Sequence, residues 1–260
     1  MKTTIFCFSG SGNSYWVANQ LAQLIPDCEL RMIPSLMSVK EIELTERVGF
    51  VYPVYKFFPP NLLTHFVEEI IGSQELDSIK YLFQICTYNL ASSWALGAME
   101  RVLGSAGLTV SYTDRVRMAD TYVPLFKTPS ADRIGRYYEK AKHKVEEIAR
   151  NLSDEAIKLV PRSLFSRSAS KYLMRPIHRS LMDAAEQFAV TDQCTTCGIC
   201  YRICPSHNIE LLGGKPRWDR VCSGCLACYH RCPEHAIIFN RRIRGSHYPN
   251  ERSGYTMEYR

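Results

Sequence analysis

Cys194-Thr195-Thr196-Cys197-Gly198-Ile199-Cys200-Tyr201-Arg202-Ile203-Cys204-Pro205 is answered, further along the chain, by Cys222-Ser223-Gly224-Cys225-Leu226-Ala227-Cys228-Tyr229-His230-Arg231-Cys232-Pro233. Both stretches have the spacing C-x2-C-x2-C-x3-C-P, and together they hold eight of the eleven cysteines. Three thiolates so close in sequence suit three corners of a [4Fe–4S] cube, while the fourth crosses to a second cube. Structural zinc takes its cysteines in pairs and leaves the third cysteine and the terminal Cys-Pro unexplained. A disulfide framework fits less well, because nothing directs the chain to an oxidising compartment. Crosswise ligation assigns Cys194, Cys197, Cys200 and Cys232 to one cluster and Cys222, Cys225, Cys228 and Cys204 to the other. Neither half can then fold around its metal alone. His207, His230 and His235 lie near these ligands in sequence and, with all eight thiolate positions filled, are expected at the surface.

The metal-stapled region occupies residues 191–260. So short a segment, with few aliphatic positions, cannot bury enough apolar surface without cross-links. The 260-residue chain leaves room for a core-forming domain before it. No window holds about 18 uninterrupted apolar residues, and the apolar start over 5–8 is too short for a signal-peptide core. The expectation is a cytoplasmic protein with no membrane span.

That first domain opens with a short apolar strand over 2–8. It runs directly into Ser9-Gly10-Ser11-Gly12-Asn13-Ser14, followed by helical spacing of Trp16, Val17, Leu21, Leu24 and Ile25. Strand, glycine and hydroxyl loop, then helix is a phosphate cradle, in which loop N–H groups and the positive helix end face an anion. The loop lacks the lysine of a triphosphate-binding GxxxxGK[ST] loop. Tyr15 stands where the third glycine of GxGxxG would fall. A tight turn without a ligand is the alternative at this point.

Further strands are expected over 29–33, 48–52, 79–85 and 108–116, alternating with helices over 62–71 and 92–104 and a long amphipathic helix through Ile134, Tyr137, Tyr138, Ala141, Val145, Ile148, Ala149 and Leu152. Alternation of this kind builds a parallel, doubly wound α/β sheet, which binds ligands at the carboxyl ends of its strands. Two more loops stand at such ends. One is the aromatic run Tyr52-Pro53-Val54-Tyr55-Lys56-Phe57-Phe58, suited to stacking on a flat ligand or to forming a packed corner; the other is Cys86-Thr87-Tyr88-Asn89. Cys7, Cys28 and Cys86 have no partner at ligand spacing and are expected as apolar packing residues. Trp94 is expected to pack on its helix. Residues 153–190 form a connection containing Arg162, Arg167, Arg175 and Arg179, with one helix over 176–188. A basic tail without periodicity follows Cys232.

The two halves together resemble the flavodoxin–ferredoxin fusion family. The resemblance rests on residues 8–14 at one end. At the other it rests on residues 190–200, Cys204-Pro205, Asn208-Ile209, Gly214-Lys215-Pro216 and His247-Tyr248-Pro249-Asn250. It implies a flavodoxin-like five-stranded sheet of order 2-1-3-4-5 over 1–152 and a small α+β two-cluster ferredoxin domain over 191–260. Ser9, Gly10, Ser11, Gly12, Asn13 and Ser14 would hold the phosphate of FMN, and Tyr52, Pro53, Val54, Tyr55, Thr87, Tyr88 and Asn89 would border its ring. The family tends to carry glycine near the ring where this chain has Lys56-Phe57-Phe58 and Asn89-Leu90, and Lys56 there would favour a reduced, anionic flavin.

The cofactors reinterpret the charge. A net charge of +6 suggests an anionic partner such as nucleic acid. Two thiolate-ligated cubes contribute about −4 and an FMN phosphate up to about −2, which brings the total near zero without any nucleic acid. No acid–base constellation is visible, as expected where the cofactors carry the chemistry. Three readings follow. The protein is an electron-transfer protein passing electrons to a redox partner, a flavin-dependent reductase of a small-molecule acceptor, or a redox-sensing binding protein.

Overall fold

Every residue of Thr3–Cys7 (β1) is buried, as a parallel strand covered by helices on both faces requires. Alternate side chains serve opposite faces. Ile5 and Cys7 enter one core with Val17, Leu21, Phe83, Tyr138 and Ile148, whereas Phe6 and Phe8 enter the other with Phe50, Phe66, Met99 and Leu103. The structure is a computed structural model describing residues 1–124, 126–159, 183–239, 247–249, 251–256 and 258–259.

Around β1 stand Cys28–Met32 (β2), Arg47–Pro53 (β3), Tyr81–Tyr88 (β4) and Tyr112–Arg117 (β5), all parallel, in the order β2-β1-β3-β4-β5. This is the flavodoxin-like doubly wound sheet. Asn13–Leu24 (α1) and Ala131–Ser153 (α4) contribute to the first core. The second takes in Asn61–His65 (α2), which widens into a π turn over Phe66–Ile70, and Ser93–Ser105 (α3). Helix α4 buries Ile134, Tyr138, Ala141, Val145, Ile148, Ala149 and Leu152 of the expected stripe, with Tyr137 half-buried at its edge, and the Ser130 hydroxyl accepts the Arg133 N–H at its start.

Two strand boundaries differ from expectation. Strand β4 continues through Cys86, Thr87 and Tyr88, because β5 pairs with it as far as Tyr88. Strand β5 starts only at Tyr112, since Leu108 and Val110 turn into the second core instead of pairing.

The cysteine-rich region forms two small ladders. Phe188–Val190 (β6) pairs antiparallel with Ile237–Phe239 (β9), and Ile209–Leu212 (β7) pairs with Lys215–Trp218 (β8) through the left-handed Gly213-Gly214 turn. Short helices Ile199–Arg202 (α5) and Ala227–His230 (α6) follow the second cysteine of each motif. The two copies repeat each other in backbone as well as in cysteines. Thr196 and Gly224, Gly198 and Leu226, and His207 and His235 occupy matching positions, and all have positive φ. The helix expected over 176–188 lies largely outside the described residues. Where described, Asp183–Gln187 is a 3-10 turn and Phe188 begins a strand, its ring stacked against Trp218 and meeting Phe239 edge-on. Arg162, Arg167, Arg175 and Arg179, and the tail's Arg241, Arg242 and Arg244, also lie outside the described residues.

Among the described residues no helix is long and apolar enough to cross a membrane. The tail beyond 246, for which no periodicity was expected, nonetheless contributes to the core of the five-stranded sheet. Tyr248 and Tyr255 are buried in the core beside α1 and α4.

Candidate functional site

The carboxyl ends of β1, β3, β4 and β5 converge on one cleft of about 580 Å³, counting its mouth to solvent. Ser9, Gly10, Ser11, Asn13 and Ser14 line one side; Pro53, Val54, Tyr55, Thr87, Tyr88 and Asn89 line another. Met118 to Tyr122, after β5, and the cysteine-loop residues Gly224, Cys225 and Leu226 complete the wall. These last two segments were not anticipated. Tyr122 was visible only as a residue beyond a strand end, and nothing in the spacing of the cysteines says which surface the second motif faces.

Gly12 caps α1 with φ 98°, a left-handed conformation that turns the chain from strand into helix. Its N–H donates to Ser9 Oγ at 3.1 Å. The first-turn N–H groups of α1 have no intrahelical acceptor and remain for an anion. Three side chains brace the turn: Ser11 Oγ donates to Thr121 Oγ1 at 3.2 Å, Ser14 Oγ and Thr87 Oγ1 share a hydrogen bond of 2.7 Å, and Asn13 Nδ2 donates to the Ala119 carbonyl at 2.9 Å. Asn13 Oδ1 accepts from Tyr248 Oη at 3.0 Å and Tyr138 Oη at 3.3 Å. Its amide is therefore committed to the protein, and its backbone N–H is what it can offer a ligand.

Two expected contacts are corrected. Tyr52 does not border the cleft; it is fully buried within β3 and donates to Gln84 Oε1 at 2.8 Å. Gly12 faces away from the cleft, with Ser253 Oγ and Tyr255 Cβ filling the space where a side chain would project.

Gly10 is closely enclosed where the serine turn meets the cysteine loop. A Cβ there would stand 2.6 Å from Tyr55 Oη and 2.7 Å from Cys225 Cβ. Tyr55 closes a two-residue hairpin, exchanging backbone hydrogen bonds of 2.9 Å with Phe58 across Lys56 (φ 43°) and Phe57 (φ 74°). Two successive positive φ values make a type I′ turn, a geometry normally given to Asn-Gly. Lys56 Nζ lies 5.9 Å from the Tyr122 ring centroid. The Phe57 ring meets Trp94 edge-on at 5.5 Å, so Trp94 packs against the loop rather than lining the cleft. Burial, followed by the nearby Cys225 thiol, pushes the Tyr55 phenol well above its ordinary range. Burial also raises the Asp120 carboxyl, against hydrogen bonds from the Tyr122 and Thr121 N–H groups.

The eight motif cysteines gather into two sets. Cys200 feels the charges of Cys197, Cys232 and Cys194, and Cys228 feels those of Cys225, Cys222 and Cys204. The first set lines a separate small cavity. Burial, then neighbouring thiols, lifts Cys200 and Cys222 to about 11. Backbone N–H groups already point at sulfur: Asn208 N–H at Cys204 and Ala236 N–H at Cys232, both 3.3 Å and at matching positions of the two copies, and Gly224 N–H at Cys222, 3.4 Å. Such donors suit thiolate more than thiol. Among the described residues no three His, Cys, Asp or Glu side chains converge on one metal ion. The four thiols of the first set instead line one common space. Cys7 and Cys86 are buried, as expected of packing residues, and burial drives both thiols far up. Cys28, partly buried, is pushed to about 12.

His207 and His235 are exposed, but His230 is not. Its Nε2 donates to the Thr121 carbonyl at 2.8 Å and its Nδ1 accepts the Tyr248 N–H at 3.1 Å. One neutral ring thus joins the loop after β5, helix α6 and the tail, and burial holds its pKa down to about 4. The tail adds further ties. Tyr255 Oη donates to the Ser9 carbonyl at 2.8 Å and also meets Tyr259 Oη, Arg231 Nη1 donates to the Tyr255 carbonyl at 2.9 Å, and the Tyr259 N–H donates to the Arg202 carbonyl at 2.7 Å.

No family model matches the chain, and no curated protein matches it. Among solved structures it is similar to rubredoxin oxygen:oxidoreductase from Desulfovibrio gigas, at 18% identity over 59% of this chain and 36% of that one, with a TM-score of 0.41. It is similar to Megasphaera elsdenii flavodoxin at 16% identity over 57% of this chain and 98% of that one, with a TM-score of 0.37. It is also similar to the Flv1 flavodiiron core of Synechocystis sp. PCC6803, at 15% identity over 58% of this chain and 36% of that one, TM-score 0.38. The chain therefore spans about a third of the length of the first and third of these.

Proposed function

We propose that the protein is an electron carrier holding FMN in the cleft and two [4Fe–4S] clusters on the thiol sets, Cys194, Cys197, Cys200 and Cys232 for one and Cys204, Cys222, Cys225 and Cys228 for the other. One observation carries this reading: the cleft fronted by the serine turn is closed by Gly224, Cys225 and Leu226, so a ligand in it would lie against a cluster ligand.

Bound FMN would supply interconversion of two-electron and one-electron chemistry, and the cubes would supply single-electron capacity. The chain's own residues do the rest. The Ser9, Ser11 and Ser14 turn and the first-turn N–H groups of α1 would receive the phosphate. Val54, Tyr55 and Tyr88 would wall the ring, and Lys56 would bring positive charge to that loop. The N–H donors to Cys204, Cys222 and Cys232 would stabilise the thiolates on ligation. We read residues 1–152 as the flavin domain, 153–190 as the connection and 191–260 as the cluster domain of a flavodoxin–ferredoxin fusion. We expect a cytoplasmic protein with a redox protein as partner.

The test is anaerobic purification with iron, sulfide and flavin quantified, followed by a spectral redox titration. About eight irons and one FMN per chain are expected. Four irons, or failure to retain added FMN, would remove that half of the reading.

A further inference from the structure

The two thiol sets are not equivalent with respect to the cleft. Cys225 lines it, and its Cβ lies only 2.7 Å from where a side chain on Gly10 would begin. Both segments are pinned: His230, five residues beyond Cys225, holds the Thr121 carbonyl, and Thr121 in turn holds Ser11. No cysteine of the other set lines the cleft. Cys194, Cys197, Cys200 and Cys232 surround their own cavity, and Cys197 is the exposed member of the eight. The β7–β8 hairpin presents Leu211 and Leu212, 37% and 54% exposed, and Leu211 Cδ1 lies 3.7 Å from where a side chain on Gly198, next to Cys197, would begin. Cys204 and Cys232 each belong to one motif and sit in the other's set, which fixes the two sets side by side.

We propose that the two cube sites work in series: the Cys204, Cys222, Cys225 and Cys228 site exchanges electrons with the flavin, and the Cys194, Cys197, Cys200 and Cys232 site exchanges them with a one-electron carrier protein arriving at Cys197. The proposal rests on the cofactor reading above. In the outward direction a bound reduced flavin would supply two electrons one at a time; each would pass by way of the Cys204, Cys222, Cys225 and Cys228 site and then the Cys194, Cys197, Cys200 and Cys232 site to one molecule of partner, with the flavin's protons going to water. Two partner molecules are reduced per flavin oxidised.

The experiment uses the full-length holoprotein, made anaerobically, with a low-potential viologen dye as the external one-electron acceptor. Cys197→Ser and Cys225→Ser are compared by flash reduction of the flavin. With Cys197→Ser, delivery to the dye should slow about tenfold or more, and by a larger factor than the step between flavin and the inner cube, at the Cys225 site. With Cys225→Ser, the internal step itself should slow by a similar factor. The reverse assignment overturns the series.

Because a ligand variant can lose its fold with its cluster, the wild-type protein carries a second measurement. The 31P resonance of bound FMN should broaden when the clusters are reduced. It should stay broad after a ferrous chelator has stripped the first half of the iron, with alkylation identifying Cys194, Cys197 and Cys200 as the thiols set free. Loss of the broadening with that first half overturns the proposal even when iron and FMN contents are as expected. Absence of bound FMN overturns the cofactor reading and the series with it.

Discussion

Tyr248 Oη donates to Asn13 Oδ1 at 3.0 Å, joining residues 235 positions apart in sequence. The contact ties the tail to the first turn of α1, where the proposed phosphate site begins. Tyr248→Phe keeps the packing and removes one hydrogen bond to a buried amide that retains Tyr138. It should lower stability by about 1 kcal/mol. Denaturant unfolding checks this, together with a loss of FMN affinity in fluorescence titration; an unchanged affinity would show that the tail does not brace the cradle.

Gly10→Ala forces a methyl group between Tyr55 Oη and Cys225, both closer than 3 Å. Backbone must move, because the Cys225 carbonyl is also only 2.9 Å away. Overpacking of this kind costs about 1–3 kcal/mol. FMN binding should weaken by about tenfold or more, equivalent to about 1.4 kcal/mol, as read by the fluorescence recovered in the free pool. Binding of wild-type strength would mean the serine turn and the cysteine loop are not in contact.

Phe57 holds φ 74° at the second position of the type I′ turn. Phe57→Ala loses the ring against Trp94 and keeps the backbone strain; Phe57→Gly loses the ring but relieves the strain, worth about 1 kcal/mol. The glycine variant should therefore be the more stable of the two in urea unfolding, the opposite of the order in ordinary structure. Alanine ranking above glycine would contradict the turn.

Asp114 is buried on β5. Its Oδ2 accepts from Lys158 at 2.7 Å, Tyr112 at 2.8 Å and Lys144 at 3.1 Å, and its Oδ1 accepts the Arg115 N–H at 2.8 Å. Burial alone would raise its pKa, but these hydrogen bonds, led by Lys158, more than offset it and hold the carboxyl below its ordinary range. A lowered folded-state pKa adds stability that is present above the unfolded value, about 3.9, and lost as pH falls through the folded one. Asp114→Asn should cost about 1.5–3 kcal/mol, with a difference from wild type that stays constant between about pH 5 and 8. A difference that shrinks within that window, in unfolding measured at several pH values, would refute the ionised pairing.

Much of the architecture was legible because its signals are local. Alternation of apolar strands with amphipathic helices led to the parallel sheet, and the buried stripe of α4 follows helical spacing residue by residue. The serine turn and the aromatic loop could be placed at strand ends because a doubly wound sheet puts its loops there. What escaped were contacts made at long range. Tyr52, one residue from the cleft wall, points inward because side chains alternate along β3, and its phenol is absorbed by Gln84. His230 reads as one more polar residue beside cysteines until the Thr121 carbonyl and the Tyr248 N–H are brought to its two nitrogens.

From its residues alone this chain determines two cysteine repeats of one spacing, a glycine and serine turn between strand and helix, and a sheet of alternating units, since each depends on neighbours a few positions away. Only the folded chain decided that Cys225, rather than any cysteine of the first motif, would close the cleft, and that an aperiodic tail would brace it. Those outcomes depend on which surfaces meet when segments over a hundred residues apart bury their apolar and hydrogen-bonding groups together, and no local pattern encodes that choice.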